Sequence, residues 1–391
     1  MEPFSFPRSL PHATNGGVLV DAPSVAKRRS SVDSVPSLDT AVYTIPTDRP
    51  EADGTIAWDR TTMLLVTARG ADGTSGLGFA YTVQGAAEVV KGTLAKALGD
   101  VDDDSPGACW TAMVGAVRNA GRPGVCASAI SAVDVALWDL RARRRNLPLF
   151  RLLPTFRDAV PIYGSGGFTT YSVAELVDQL GGWVAEGIPR VKMKIGRGIE
   201  EDVQRIRAVR ESIGPSAELF IDANGAYAAK QAIALAKRVE RETTYFEEPV
   251  SSDQHAELAL VRTSIEQQVA AGEYGYDPWY FRAMLEAGAV DVMQADATRC
   301  LGISGFLMAA DLAYGFGLPF SAHTAPSIHA HAGCGAPALS HVEYFWDHVR
   351  IEQMLFDGVL TPEAGELRPD SSRPGLGLEL KTVEAEQYRV A

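Results

Sequence analysis

Two lysines stand two residues apart in the short apolar run "RVKMKIG", as Lys192 and Lys194. In a strand the side chains alternate, so both ammonium groups would point to one face. Further along, single ionisable residues close later apolar runs: Asp222, Glu247, Glu273, Asp296, His323 and Glu343. The steps from Lys194 are 28, 25, 26, 23, 27 and 20 residues, each about the length of one strand–helix unit. Asp222, Glu247 and Glu273 would place three carboxylates together, and their repulsion calls for a cation. An all-oxygen carboxylate set suits Mg2+, with Mn2+ as a substitute, whereas zinc would want His or Cys among the ligands. Lys194 on one side and the His323–Asp296 pair on the other would flank the metal. Such a site suits removal of a proton from carbon next to a carboxylate, because the metal offsets the charge of the enediolate. On this reading Lys194 is the base, its pKa lowered by Lys192 and the metal, and Lys192 also holds the substrate carboxylate.

Something must carry these residues to one place. Eight short apolar runs, "AVPIYGSGG", "RVKMKIG", "ELFIDANG", "TYFEEPV", "QVAAGEY", "VDVMQAD", "LPFSAHT" and "HVEYFWD", alternate with amphipathic stretches such as "GIEEDVQRIRAVRESIG". Alternating strand and helix units predict a parallel sheet of the α/β class, and eight of them predict a closed (β/α)8 TIM barrel over residues 156–349. A doubly wound open sheet would call for a G-x-G-x-x-G turn after the first strand, which the chain lacks. A barrel gathers the C-terminal ends of its strands at one mouth, where such enzymes keep their chemistry. One ionisable residue per strand end therefore converges there.

Before the barrel, residues 33–155 read as a compact α+β unit. "DTAVYTI" and "TTMLLVTARGADGTSGLGFAYT" are strand-like, with "GADGTSG" as a turn. Helices follow and end in "CASAISAVDVALWDLRARRRNLPLFRLL", whose basic last turn and Pro148 stop a helix. Residues 1–32 mix Pro, Ser, Gly and charge without periodicity and are predicted to form a mobile extension. The whole chain of 391 residues is 46% hydrophobic, enough for a sizeable core. Its net charge of −13 argues against nucleic acid or an anionic membrane as partner. No apolar stretch reaches membrane-span length and no export signal is visible, so a cytoplasmic protein is expected. The four scattered cysteines, Cys109, Cys126, Cys300 and Cys334, read as free thiols in a reducing compartment.

The ordered set of motifs resembles the enolase superfamily, and within it the mandelate racemase-like group, over roughly residues 35–380. "KxK" (Lys192, Lys194) matches the family's base motif, and "DAN" (Asp222), "EEP" (Glu247) and "GE" (Glu273) match its magnesium ligands. "QAD" (Asp296) and "SAH" (His323) match its dyad, "HVEYF" (Glu343) its eighth-strand acid, and "SAVDVALWDLRAR" and "PGLGLEL" its framework segments. The resemblance implies a modified enolase-type barrel with an N-terminal α+β capping domain, completed by the C-terminal segment 350–391. It also implies that cap loops shape the substrate pocket. In "TDRPEADGTIAWD" the charged and aromatic Arg49, Asp53 and Trp58 are candidates for reading the far end of a substrate. Asn224 is expected to touch substrate or hydrate the metal site, and Glu343 to serve the substrate directly. Glu248 follows Glu247 and by strand alternation is expected to face away and support the site from behind. His329 and His331 are expected to pack in a helix after strand seven, and His341 to lie at the start of strand eight, away from the mouth. The implied partner is a small-molecule carboxylate, and the implied assembly a homo-oligomer, dimer or octamer.

With both a lysine and a His–Asp dyad, two main reactions remain. In a racemase or epimerase of a 2-hydroxy acid, one base removes the α-proton and the other returns one on the opposite face. In a dehydratase, Lys194 removes the proton and His323 protonates a departing β-hydroxyl. The resemblance favours dehydration of a sugar acid, aldonic or aldaric, to a 2-keto-3-deoxy acid; a lactone cycloisomerase is the further alternative. A sugar-acid-binding homologue retired from catalysis should have lost a ligand or base, and none is missing.

Overall fold

The computed structural model describes residues 37–99 and 101–391. The predicted extension 1–32 lies outside the described residues. Three antiparallel strands come first: β1 (Ser37–Ala52), β2 (Ala57–Arg69) and β3 (Ser75–Tyr81). The "GADGTSG" segment is the β2–β3 turn, with Gly73 at φ 83°. The Val125–Arg144 helix lies directly on this sheet. A Cβ at Gly76 or Gly78 would stand 2.2 or 2.3 Å from its carbonyl oxygens at Ala136 and Ala132, so only glycine permits the approach. Arg141, Arg143 and Arg144 fill its last turn, where the helix dipole favours cations.

A buried carboxylate ties the C-terminal segment to this unit. Asp139 accepts from the Leu77 amide at 2.7 Å, the Leu376 amide at 2.6 Å and Arg143 Nε at 2.7 Å. The last residues also lie along β1, where Val42 N donates to Ala391 O and Val390 N to Val42 O, both at 2.8 Å.

Eight parallel strands follow: β4 (Val160–Gly166), β5 (Arg190–Lys194), β6 (Glu218–Asp222), β7 (Tyr245–Glu247), β8 (Gln268–Ala271), β9 (Val292–Ala295), β10 (Phe320–Ala322) and β11 (Leu339–Phe345). Each pairs with the next, and β11 pairs in parallel with β4, which closes the barrel. A helix follows every strand, from Val173–Ala185 after β4 to Trp346–Leu355 after β11. The Val173–Ala185 helix shows how local sequence sets the boundaries, since Ser172 and Glu175 form a reciprocal capping box at its start. Inside, below the mouth, Tyr163, Phe220, Tyr245, Ala270 and Val292 pack into a dry plug. His341 sits against it, 4.9 Å from the Tyr163 ring centre and bonded to Ser321 at 2.9 Å, on the floor rather than at the mouth as the sequence predicts.

Replacing Asp139 by Ala removes the partner of Arg143 Nε and leaves the Leu77 and Leu376 amides unpaired at the junction of sheet, helix and C-terminal segment. The expected loss is about 3–5 kcal/mol in urea unfolding. A loss below about 1 kcal/mol would show that this junction does not hold the C-terminal segment.

Candidate active site

Strand register builds the site. Lys194 on β5 pairs with Asp222 on β6, which pairs with Glu247 on β7, so three charged side chains stand side by side at the ends of neighbouring strands. Glu273 lies two residues past β8, beyond Gly272 at φ 139°. A Cβ at Gly272 would stand 2.0 Å from the Gln294 carbonyl, so glycine lets β8 turn tightly against β9 and aim Glu273 into the mouth. Asp296 and His323 each follow the last residue of their strands, β9 and β10, and Glu343 lies within β11. All seven of these side chains are buried, as is Lys192 two residues before Lys194.

The charges interlock. Lys192 Nζ lies 2.6 Å from Glu247 Oε1, 2.8 Å from Glu343 Oε1 and 3.2 Å from Asp222 Oδ2. Lys194 Nζ lies 2.6 Å from Asp222 Oδ2. At the other end of the carboxylate row, His323 Nε2 is 3.2 Å from Glu273 Oε2, and its Nδ1 is 2.9 Å from Asp296 Oδ2. Arg299 bridges the same two acids, 3.2 Å from Glu273 Oε1 and 3.7 Å from Asp296 Oδ2. Glu343 accepts from Ser165 Oγ at 2.5 Å and the Thr324 amide at 3.0 Å.

These contacts decide the protonation states. Burial pulls both lysines down, but the carboxylates outweigh it, Asp222 at Lys194 and Glu247 with Glu343 at Lys192, and both stand above the ordinary lysine range. The lowering expected for Lys194 counts the metal beside Lys192; among the protein groups alone, Asp222 at 2.6 Å outweighs Lys192. Burial also lowers His323, yet Glu273 and the Asp296 bond push it up to about 9. Burial would raise Asp296, but His323 and then Arg299 hold it below the usual carboxylate range. Glu247 moves the other way, raised by burial and by Asp222 despite Lys192.

A hard divalent cation fits this set. One carboxylate oxygen from each of Asp222, Glu247 and Glu273 lies within 4.8 Å of the other two, and Glu247 Oε2 is buried without a hydrogen-bond partner. The donors are all oxygen, as Mg2+ or Mn2+ prefers.

Glu248 requires a correction. β7 ends at Glu247, and Glu248 turns into the left-handed region at φ 39°, so strand alternation no longer applies to it. Instead of facing away, its carboxyl lines a cavity of about 580 Å3. Asn224, at φ 46°, lines the same cavity with its amide donating to Asp222 Oδ1 at 2.9 Å. The cap contributes Thr55 and Pro123 to the wall. Arg49 instead pairs with Glu175 at 3.1 Å, Trp58 donates to Glu51 at 2.8 Å, and Asp53 caps the turn by accepting from the Thr55 and Ile56 amides. None of those three is on the cavity wall, because the tight turn at Asp53 presents Thr55 there. His329 and His331 are structural as predicted: His329 accepts from the Ala297 amide at 2.9 Å and His331 from the Phe150 amide at 3.3 Å. The motif reading names neither Arg299 nor Ser165. Arg299 carried a signal, its i,i+3 spacing from Asp296, whereas Ser165 meets Glu343 only through barrel closure.

Fold and site together define a capped (β/α)8 enzyme architecture with an acidic triad, able to hold a metal ion, between a lysine and a His–Asp dyad. Residues 40–154 match the family model for the mandelate racemase/muconate lactonizing enzyme N-terminal domain, and residues 175–385 match the enolase C-terminal domain-like model. The chain belongs to this mandelate racemase-like group of the enolase superfamily. It is 31% identical over 332 residues to L-talarate/galactarate dehydratase of Salmonella typhimurium, covering 81% of this chain and 80% of the relative. A crystal structure of that relative, liganded with Mg and L-lyxarohydroxamate, aligns with TM-score 0.85 at 27% identity over 95% of this chain and 97% of the other. D-galactarolactone cycloisomerase of Agrobacterium fabrum is 34% identical over 272 residues, 68% of this chain and 72% of the relative. A mandelate racemase/muconate lactonizing enzyme-like protein from Rubrobacter xylanophilus aligns with TM-score 0.89 at 51% identity, covering 91% of this chain and 99% of that one.

The two adjacent glutamates separate by function. Calorimetric titration with Mg2+ should show binding weakened at least about tenfold in Glu247→Gln and nearly unchanged in Glu248→Gln. Equal losses would place Glu248 among the ligands.

Proposed function

We propose that this protein is a magnesium-dependent dehydratase of sugar acids, forming a 2-keto-3-deoxy acid. One observation carries the reading: Lys194 and the His323–Asp296 dyad stand at opposite ends of one buried carboxylate row, Lys194 on Asp222 and His323 on Glu273. Mg2+ held by Asp222, Glu247 and Glu273, with Mn2+ as a substitute, supplies positive charge against the substrate carboxylate as the α-proton leaves. Lys192, fixed between Glu247 and Glu343, adds a second positive contact for that carboxylate. Lys194 Nζ takes the α-proton. On the far side Asp296 binds His323 Nδ1, which leaves Nε2 to donate to the β-hydroxyl. The β carbon–oxygen bond breaks, water departs with the His323 proton, and the resulting enol becomes the 2-keto acid. Burial of the reacting groups excludes bulk water from the charge that develops. The dehydratase relative supports this reaction class for the chain.

The cycloisomerase relative supports a second reading, in which the same proton removal expels a ring carboxylate from a lactone. Supplying the open-chain acid and its lactone separately distinguishes the two, since dehydration consumes the open-chain acid and releases water whereas the lactone opens to an isomer of itself.

Proton NMR of recovered substrate in deuterated solvent tests the roles. Lys194→Ala should lower both α-hydrogen exchange and product formation on the order of a thousandfold. His323→Asn should stop product while exchange continues, because forming the enediolate needs only base and metal. Full turnover by His323→Asn, or retained exchange in Lys194→Ala, would overturn the assignment, and inverted substrate without keto acid would indicate a racemase.

A further inference from the structure

The cavity beside the metal ligands is continuous with each of their strands. Asn224 follows Asp222 by two residues, Glu248 follows Glu247 directly, and Tyr274 follows Glu273 directly; all three line it. The cavity therefore adjoins the triad, on the side a substrate tail would reach from a carboxylate held there. The wall there is rich in acceptors. Glu248, Asp253 and Asp277 place three carboxyl groups on it. Glu248 Oε1 and Asn224 Oδ1 are buried and have no hydrogen-bond partner. Glu248 is 1% exposed, and a buried carboxyl oxygen calls for a donor.

The nearby cations are already paired, Arg122 with the wall carboxylate Asp277. Arg299 is spent on Glu273 and Asp296, with its guanidinium 5.3 Å from the Tyr274 ring centre. Arg122 lies 4.2 Å from the Trp279 ring centre and 4.0 Å from Asp277 Oδ2. Among the described residues, those lining the cavity include no lysine or arginine.

We infer that the site selects monocarboxylate sugar acids, aldonates, over the matching dicarboxylates, aldarates, with Glu248 as a specificity-determining residue that accepts from hydroxyls of the substrate tail. The inference rests on the proposed sugar-acid chemistry. Hydroxyl groups supply the donors that Glu248 and Asn224 lack, whereas a terminal carboxylate supplies none and meets like charge. This separates the chain from its Salmonella relative, whose name includes galactarate, a dicarboxylate.

The test uses pairs that differ only at the terminal carbon, gluconate with glucarate, galactonate with galactarate and mannonate with mannarate, on the Mg2+-loaded protein. In the productive pair, kcat/KM for the aldonate should exceed that for the aldarate on the order of a hundredfold. Asp253→Lys should narrow the ratio at least about tenfold by favouring the aldarate, and Glu248→Gln should narrow it while raising KM for the aldonate more than it lowers kcat. Equal or better turnover of aldarates would overturn the inference and leave the dehydratase reading standing. If no acid exchanges its α-hydrogen, the dehydratase reading falls, and calorimetry of the same pairs still decides the selectivity. Tighter aldonate binding upholds it, and equal or tighter aldarate binding, or no aldonate binding at all, overturns it.

Discussion

Two ammonium groups buried at a barrel mouth would be untenable alone. They persist because Lys192 and Lys194 are set among carboxylates from neighbouring strands at hydrogen-bond distance. The reverse also holds, since Asp222, Glu247 and Glu343 are tolerated only beside those lysines. Five carboxylates, Asp222, Glu247, Glu273, Asp296 and Glu343, face three fixed cations, Lys192, Lys194 and Arg299. With His323, pushed up to about 9, as a fourth positive group, the carboxylates still outnumber the cations. Under the proposed function a divalent ion at Asp222 would weaken the contact that raises Lys194, so the carboxylate that holds the metal would also set the strength of the base.

The rest of the fold keeps that cluster dry and in register. The aromatic plug of Tyr163, Phe220 and Tyr245 forms the floor, and the Tyr163 ring lies 5.4 Å beneath the Lys192 ammonium. From above, the cap loop enters the mouth at Gly54, where a Cβ would stand 2.5 Å from the Ala223 carbonyl and 2.6 Å from that of Ile195. A glycine there lets the cap backbone rest directly on the ends of β5 and β6. Non-glycine residues in left-handed conformation gather at the same level, Asn224, Glu248, Thr324 and Ala325. They mark where strands break, and Asn224 and Glu248 thereby reach the cavity instead of the barrel wall.

Much of this was legible in the sequence, because a parallel barrel repeats one geometry. A residue at the end of each apolar run lands at the mouth whatever its partners, so Lys194, Asp222, Glu247 and Glu273 could be placed by spacing alone. Where the backbone leaves the repeat, legibility ends. Glu248 was misplaced because alternation was extended one residue past the strand. Thr55 was overlooked in favour of Arg49 and Trp58 because the shape of a cap turn depends on Asp53 bonding its own backbone, which residue type alone does not reveal. Ser165 and Glu343 meet across the β4–β11 seam, far apart in the chain. The close approach of Asp222 to Lys194 has the same origin, for that distance is one that spacing does not fix.

The central claim is that one divalent cation completes this cluster by taking Asp222 from Lys194. Anomalous diffraction from crystals grown with Mn2+ tests it most directly. The account predicts a single strong peak within coordination distance of Asp222, Glu247 and Glu273, with Lys194 Nζ withdrawn from Asp222 and turned to the substrate side. A peak outside that triad, or Lys194 still bonded to Asp222 beside a bound ion, would contradict it.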